Sequence, residues 1–204
     1  MRFFQTIRIM YRNFFKRIID IVFGLVALPF ILILMAIVWI FVFIDDRGPL
    51  FYAAPRMGKN GHIFKMYKFR SMKVNSPDLR NADGSTFNGT NDPRVTKVGK
   101  FLRKTSLDEI PQLLNVLTGD MSLIGPRPSL TTTPYEEYSD IRKKRVSVRP
   151  GVTGYSQAYF RNSISQDEKF ENDCRYVDNI TFGNDVKIIA KTILSVIKRD
   201  NIYN

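Results

Sequence analysis

The sequence predicts an α+β fold that is mostly helical, with an N-terminal membrane segment, amphipathic helices suited to a membrane surface, and a small β-hairpin. Three observations lead there. Ile21–Ile44 contains no charged residue, and at about 1.5 Å of rise per residue a helix of that length covers the roughly 30 Å hydrocarbon core of a bilayer. The 204-residue chain has a formal net charge of +12, which favours a polyanionic partner: nucleic acid, a phosphorylated substrate or an anionic lipid surface. Gly58-Lys59-Asn60-Gly61 stands between the segments Leu50–Ala53 and His62–Phe69, a turn between two candidate strands.

Ahead of the apolar run, Arg2, Arg8, Arg12, Lys16 and Arg17 alternate with Phe3, Phe4, Tyr11, Phe14 and Phe15, the pattern of a helix lying in the interface. The run is long and lacks a small-residue cleavage site after it, which argues for a retained segment rather than a signal peptide. Pro29 removes a helix hydrogen bond and bends the axis. The basic flank favours the cytoplasm, yet the chain beyond the run is basic too, so both flanks prefer one side. Two geometries follow: a straight span with a tolerated proline, or a re-entrant helix broken at Pro29 that enters and leaves by the same face. The second divides the chain into a membrane unit, 1–47, and a cytoplasmic domain, 48–204.

The second hairpin arm carries Lys65 and Lys68 and ends at Arg70, cations that suit either a solvated strand face or a phosphate. Residues 74–93, rich in Asn, Asp, Ser, Gly and Thr, read as a mobile loop. Arg94–Lys104 spaces cations between Val95, Val98, Phe101 and Leu102 as a short basic amphipathic helix. Thr133 is expected to cap a helix with Pro134 at its first position, running towards Arg142–Arg145. Ser165 and Glu168 form a capping box for a helix bearing Phe170, Cys174 and Val177. A last helix, 184–199, puts Val186, Ile189, Ile193 and Val196 on one stripe, open to core packing or to membrane docking.

The chemistry is bounded by scarcity. One cysteine, Cys174, excludes an intramolecular disulfide, and with a single histidine, His62, it cannot make a zinc site of the usual kind. The lone histidine also weakens any Ser-His-Asp reading. The stretch Ser106–Pro128 concentrates what remains: adjacent carboxylates Asp108 and Glu109, then a rigid Gly125-Pro126-Arg127-Pro128 turn, with Lys97, Lys100, Arg103 and Lys104 upstream. Ser106-Leu107-Asp108-Glu109 also matches a capping box, in which case the acids merely favour a helix N-terminus. Pro111 makes a regular helix from Ser106 awkward, and the surrounding cations would keep both acids ionised. Ionised carboxylates tolerate a phosphate when a divalent cation lies between them, and magnesium uses one or two carboxylates together with phosphate oxygens. An ionised Asp is then a possible nucleophile at phosphorus and needs no general base.

Four ordered motifs carry a resemblance: Lys65-Met66-Tyr67-Lys68-Phe69-Arg70-Ser71-Met72, Ser106-Leu107-Asp108-Glu109-Ile110-Pro111-Gln112-Leu113, Gly119–Pro128, and Arg149-Pro150-Gly151-Val152-Thr153-Gly154. From about Phe15 to Arg199 the chain resembles the bacterial sugar transferases of the monotopic phosphoglycosyl transferase superfamily, in the small form that consists of the catalytic core. The resemblance implies transfer of a sugar 1-phosphate from a UDP-sugar to polyprenol (undecaprenyl) phosphate at the cytoplasmic face of the bacterial inner membrane, with release of UMP and with Mg2+ as cofactor. It implies Asp108 as nucleophile, Glu109 as its partner and magnesium ligand beside Asp108, and Arg127 and Arg161 as phosphate contacts. Lys65, Lys68, Arg70, Arg149 and Gln157 are further substrate-binding candidates, and Pro29 matches the break of a re-entrant helix. The expected partners are the donor, the lipid acceptor and anionic membrane lipids, and no nucleic acid. Tyr155 and Ser156 stand where the family often has Trp and Ala. A membrane-anchored polyanion-binding protein without catalysis is the competing class; its affinity would fall steeply with salt and survive loss of Asp108.

Overall fold

The computed structural model describes residues 2–79, 87, 92–161 and 163–198. The N-terminal part is one uninterrupted helical stretch: α1 (Arg2–Met10), a π-helical segment (Tyr11–Phe15) and α2 (Lys16–Asp45), with Pro29 inside the helix. Asp20, Gly24, Ile31, Val38 and Val42 form the buried stripe of α2. Around it the helix is bare hydrocarbon: Val26 is 65% exposed, Phe30 71% and Ile44 75%. A core helix of a soluble protein would bury most of that surface; this one needs an apolar solvent, and the chain is membrane-associated.

Both ends of α2 hold on to the same domain. Near its start, the Asp20 carboxylate accepts from the Leu123 amide at 2.9 Å and the Ser122 hydroxyl at 3.1 Å. At its end, Asp45 accepts from the Val98 amide at 2.7 Å, and Asp46 binds the Arg70 guanidinium and the Val74 amide. Between them Ile31 joins the main core with Phe64, Val116, Met121 and Ile188, while Val38 and Val42 pack with Phe69 and Leu102.

The expected hairpin is present. Strands β1 (Phe51–Met57) and β2 (Ile63–Phe69) pair antiparallel with Phe51 opposite Phe69 and Met57 opposite Ile63. The connection turns through Asn60 and Gly61, both at positive φ. Pro55 is accommodated because each strand of a two-stranded sheet has a free edge. A second pair, β3 (Ser122–Ile124) and β4 (Gly151–Thr153), is parallel and was not foreseen from such short segments. At its end the Gly125 amide donates to the Thr153 carbonyl at 2.9 Å and the Gly151 amide to Pro126 at 3.0 Å. The backbones are so close that a Cβ on Gly151 would collide with the Gly125 nitrogen, which is why glycine occupies both places.

The remaining helices are α3 (Lys97–Thr105), α4 (Gln112–Thr118), α5 (Asp140–Arg145), α6 (Tyr155–Tyr159), α7 (Gln166–Asp178) and α8 (Phe182–Lys198). Several expectations change here. The basic helix begins after Thr96, whose hydroxyl caps Gly99 at 2.9 Å, so Arg94 lies outside it, buried and paired with Asp92 at 2.6 Å. Thr133 caps nothing. Pro134 has an extended ψ of 149°, only a 3-10 turn follows at Tyr135–Glu137, and Ser139 caps a separate α5. The Ser165–Glu168 capping box forms as expected, and Cys174 is buried. The α8 stripe faces outward: Val186 is 47% and Ile193 54% exposed, and the core is served by Ile188 instead. Most of the expected 74–93 loop, Asn162, and the helix end at Arg199 fall outside the described residues.

Candidate active site

The carboxylate dyad lies where two helices meet. Helix α3 ends as Ser106 takes a left-handed conformation, φ 58°, and the chain makes a 3-10 turn, Leu107–Glu109, before Pro111 opens α4. Ser106 therefore ends one helix instead of starting another, and its hydroxyl makes no capping bond; the capping-box reading is set aside by backbone geometry. Leu107 packs with Val38, Val42, Phe69 and Leu102, which anchors the turn against the membrane helix and leaves Asp108 and Glu109 half-buried beside it.

Strand β2 brings the first cation. The Lys68 ammonium donates to Glu109 Oε1 at 2.6 Å, with both side chains largely shielded. Its position depends on Asn115, which is fully buried: Nδ2 donates to the Lys65 carbonyl at 2.8 Å and Oδ1 accepts from the Tyr67 amide at 3.0 Å, so α4 and β2 are fastened by one side chain. The second cation comes from the turn after β3. Both Arg127 Nη atoms reach Glu109 Oε1 at 3.4 Å while the side chain remains 53% exposed. Arg145 holds that turn from behind, donating to the Arg127 carbonyl and to Ser129 Oγ, each at 2.6 Å, and to Asp173 at 2.8 Å.

These contacts separate the two carboxylates. Burial pushes Glu109 up, but attraction and hydrogen bonding from Lys68 and Arg127 outweigh it and hold the group down at about 2. Asp108 goes the other way: burial dominates, the Glu109 charge adds to it, and Lys68, Arg103 and Arg127 only partly compensate, so its pKa is raised. At Glu109 the cations outweigh burial; at Asp108 burial outweighs the cations.

Of the other expected site residues, Lys65 is exposed on β2, and Arg70 is buried and taken up by Asp46 and the Pro49 carbonyl, which makes it a clamp at the exit of the membrane helix. Arg149 donates to the Gly119 carbonyl at 2.8 Å, at the far end of α4. Arg161, in a left-handed conformation, donates to Ser195 Oγ at 2.7 Å on α8. Gln157 Nε2 reaches the Val152 carbonyl at 3.4 Å, while its Oε1 is buried without a partner among the described residues. None of Arg70, Arg149, Arg161 and Gln157 bonds to the dyad. Lys169 was missed: half-buried on α7, it has its pKa lowered by burial and by the repulsion of Arg127. Nothing in its charged surroundings, Asp167-Glu168-Lys169, distinguishes it in sequence.

Among the described residues no three His, Cys, Asp or Glu side chains gather into a metal site. The dyad instead offers two carboxylates, of which only Glu109 Oε1 is engaged among the described residues. That donor set fits a magnesium ion that takes its other ligands from phosphate and water, and does not fit a metal held by protein alone.

The family model described as bacterial sugar transferase matches residues 11–199. The chain belongs to the bacterial sugar transferase family. The chain is 42% identical over 202 residues to the undecaprenyl-phosphate galactose phosphotransferase of Salmonella typhimurium, covering 94% of the chain and 42% of that protein. It is 41% identical over 193 residues to the galactosyl transferase CpsE of Streptococcus agalactiae, covering 89% of the chain and again 42% of the relative. With the uncharacterized sugar transferase EpsL of Bacillus subtilis it shares 40% identity over 184 residues, 88% of each chain. The chain thus spans less than half the length of the first two relatives and most of the third.

Proposed function

We propose that this protein transfers a sugar 1-phosphate from a UDP-sugar to polyprenol phosphate through a covalent Asp108 intermediate, at the cytoplasmic face of the bacterial inner membrane. The observation that carries the proposal is the position of the dyad: the residue before Asp108 packs on the membrane helix, and the residue after it is held between Lys68 and Arg127. A lipid phosphate arriving along the membrane and a soluble phosphate donor could meet there. The chemistry in the Salmonella relative's name, transfer of a phosphosugar to undecaprenyl phosphate, is what such a junction suits.

In the first half-reaction an Asp108 carboxylate oxygen attacks the phosphorus bound to the sugar, and the bond from that phosphorus to the UMP oxygen breaks, releasing UMP. In the second, a polyprenol phosphate oxygen attacks the same phosphorus and frees the Asp108 carboxylate. Arg127, exposed and already directed at Glu109, grips donor phosphate oxygens with its planar fork, and Lys169 adds positive charge beside it. Lys68 fixes Glu109 so that its free oxygen stays available. Glu109 and Asp108 would hold Mg2+, which when bound neutralises phosphate charge and favours the ionised form of Asp108. Lys65, Arg161 and Gln157 are left as outlying substrate contacts, and Arg149, at the far end of α4, lies too far from the dyad to be one.

The same-face topology belongs to this reading. Bonds from Asp20 and from Asp45 to one domain are hard to reconcile with ends on opposite sides of a bilayer, because buried ionic and polar contacts are costly in hydrocarbon. This supports a helix that enters and leaves by one face.

The test is a donor-only burst. Purified protein with Mg2+ and a panel of UDP-sugars should release about one UMP per enzyme without acceptor, and kinetics with both substrates should be ping-pong. Asp108→Asn should abolish the burst and leave the fold intact, since Asp108 makes no hydrogen bond among the described residues. Retention of a labelled phosphosugar adduct by that variant would overturn the assignment and make Glu109 the first alternative. Donor binding without any UMP release would favour the non-catalytic class.

A further inference from the structure

At the other end of α4, away from the dyad, a cavity of about 320 Å³ opens between the N-terminal helix and the domain. Its volume is that of a small-ligand site. The walls are cationic: Arg12, Lys16 and Arg17 from the helix, Lys59 from the hairpin loop, and Arg149, against the single carboxylate of Asp20. The helix α4, at about 1.5 Å per residue, puts roughly 10 Å between this cavity and the dyad. Asp108, Glu109 and Arg127 do not line it.

Internal partners account for part of this charge only. Lys16 is paired with Asp185. Arg17 donates to the Val116 and Leu117 carbonyls at 2.6 and 3.1 Å, and Arg149 to Gly119 at 2.8 Å, so both guanidiniums converge on the open carbonyls that end α4. Those acceptors are neutral, and Asp20 only partly offsets the repulsion between the two positive charges. Arg12 and Lys59 are exposed and have no partner among the described residues. Lys59 is nevertheless positioned, because the neighbouring Asn60 amide donates to the Val146 carbonyl at 2.8 Å, next to the Ser147–Arg149 wall. Four cations therefore face one carboxylate across an open cleft, an arrangement that self-repels unless an anion enters. The π-helical segment that supplies Arg12 also carries Phe14 and Phe15, 61% and 46% exposed, so the cavity adjoins an apolar, membrane-seeking surface.

We propose that this cavity is a second anion site that binds a phosphate group, separate from the dyad. The arginines supply planar donor pairs and the lysines point charges, the combination that recognises phosphate monoesters and diesters alike. The group could be borne by a phospholipid headgroup or be free in solution, and the experiment distinguishes these sources.

Asn13 lines the cavity and is exposed, so Asn13→Cys carrying an environment-sensitive fluorophore reports on it; the native Cys174 is buried. One arm titrates the labelled full chain in detergent with inorganic phosphate. The other places it in nanodiscs of phosphatidylcholine with and without phosphatidylglycerol. A saturable response is expected in at least one arm, in the first for a soluble phosphate and in the second for a headgroup. Arg12→Gln with Lys59→Gln should weaken it roughly tenfold or more, as expected for two charges each contributing on the order of a tenfold step or somewhat less. Arg12→Lys with Lys59→Arg should retain it, and Asp108→Asn with Glu109→Gln should leave it unchanged. No saturable response in either arm, an unchanged response in the double glutamine variant, or loss of response in the dyad variant would each overturn the proposal.

Discussion

Lys68 acts unequally on two neighbouring carboxylates, and that asymmetry has a measurable consequence. It bonds to Glu109 and only lowers Asp108 through space. Replacing it with Met removes the strongest of the three attractions that oppose burial at Asp108, so the Asp108 pKa rises further. The reactive form is the carboxylate, so the acid limb of the UMP-burst rate should move to higher pH in Lys68→Met. An unmoved limb would separate the burst from Asp108 ionisation. Stability follows the opposite sign at Glu109: its depressed pKa of about 2 contributes stability above the ordinary Glu value, and that contribution fades as pH falls through the folded value. Arg127 makes a different prediction. Being half-exposed, with only 3.4 Å contacts to Glu109, it carries little of the fold. Arg127→Lys should leave the melting temperature nearly unchanged and lower kcat/KM for the donor by about 10- to 100-fold through loss of the bidentate fork. Unchanged donor kinetics would exclude Arg127 from the clamp.

At the scale of elements, the site is assembled by polar side chains that tie segments far apart in sequence. Asn115 does this for α4 and β2. Asn115→Ala should strand the Tyr67 amide and the Lys65 carbonyl, costing about 2–5 kcal/mol, and should loosen the strand that presents Lys68. Denaturant unfolding measures the first effect; a cost below about 1 kcal/mol would mean that water replaces both bonds. Neither Asn115 nor Arg145 could be singled out in sequence. Asn115 lies in an ordinary apolar segment, and Arg145 is one of four consecutive cations, Arg142–Arg145, of which it alone is buried. The helix expected from Thr133 failed for a related reason: Pro at a first helical position is only a preference, and here Ser139 supplied a better cap with Asp140 in the first turn.

For the molecule as a whole, the decisive feature is a bilayer-length helix bonded to one domain near both of its ends. The prediction is that single cysteines at Gln5 and at Asn201 are both shielded from an impermeant maleimide outside intact spheroplasts, and that both react once the membrane is opened. Labelling of one position alone from outside would require a straight span. The outward stripe of α8 and the exposed aromatics of the π-helical segment would then lie in the interface, where apolar faces are covered by lipid headgroup and acyl boundary.

The sequence by itself determined the membrane run, the hairpin, the capping box at Ser165, and the dyad with its cationic turn. Each is a local pattern: a charge-free length, a turn tetrapeptide, a four-residue capping box, an ordered motif. Tertiary structure decided the rest. Ser106 closes a helix because its backbone turns left-handed there, and Arg70 binds the helix exit because Asp46 lies within reach. Asp108 and Glu109 acquire opposite pKa shifts because one of two adjacent carboxylates meets Lys68. Five cations separated by up to 137 positions, from Arg12 to Arg149, surround one cavity. Charge and burial act through space, and no spacing along the chain encodes which groups will meet.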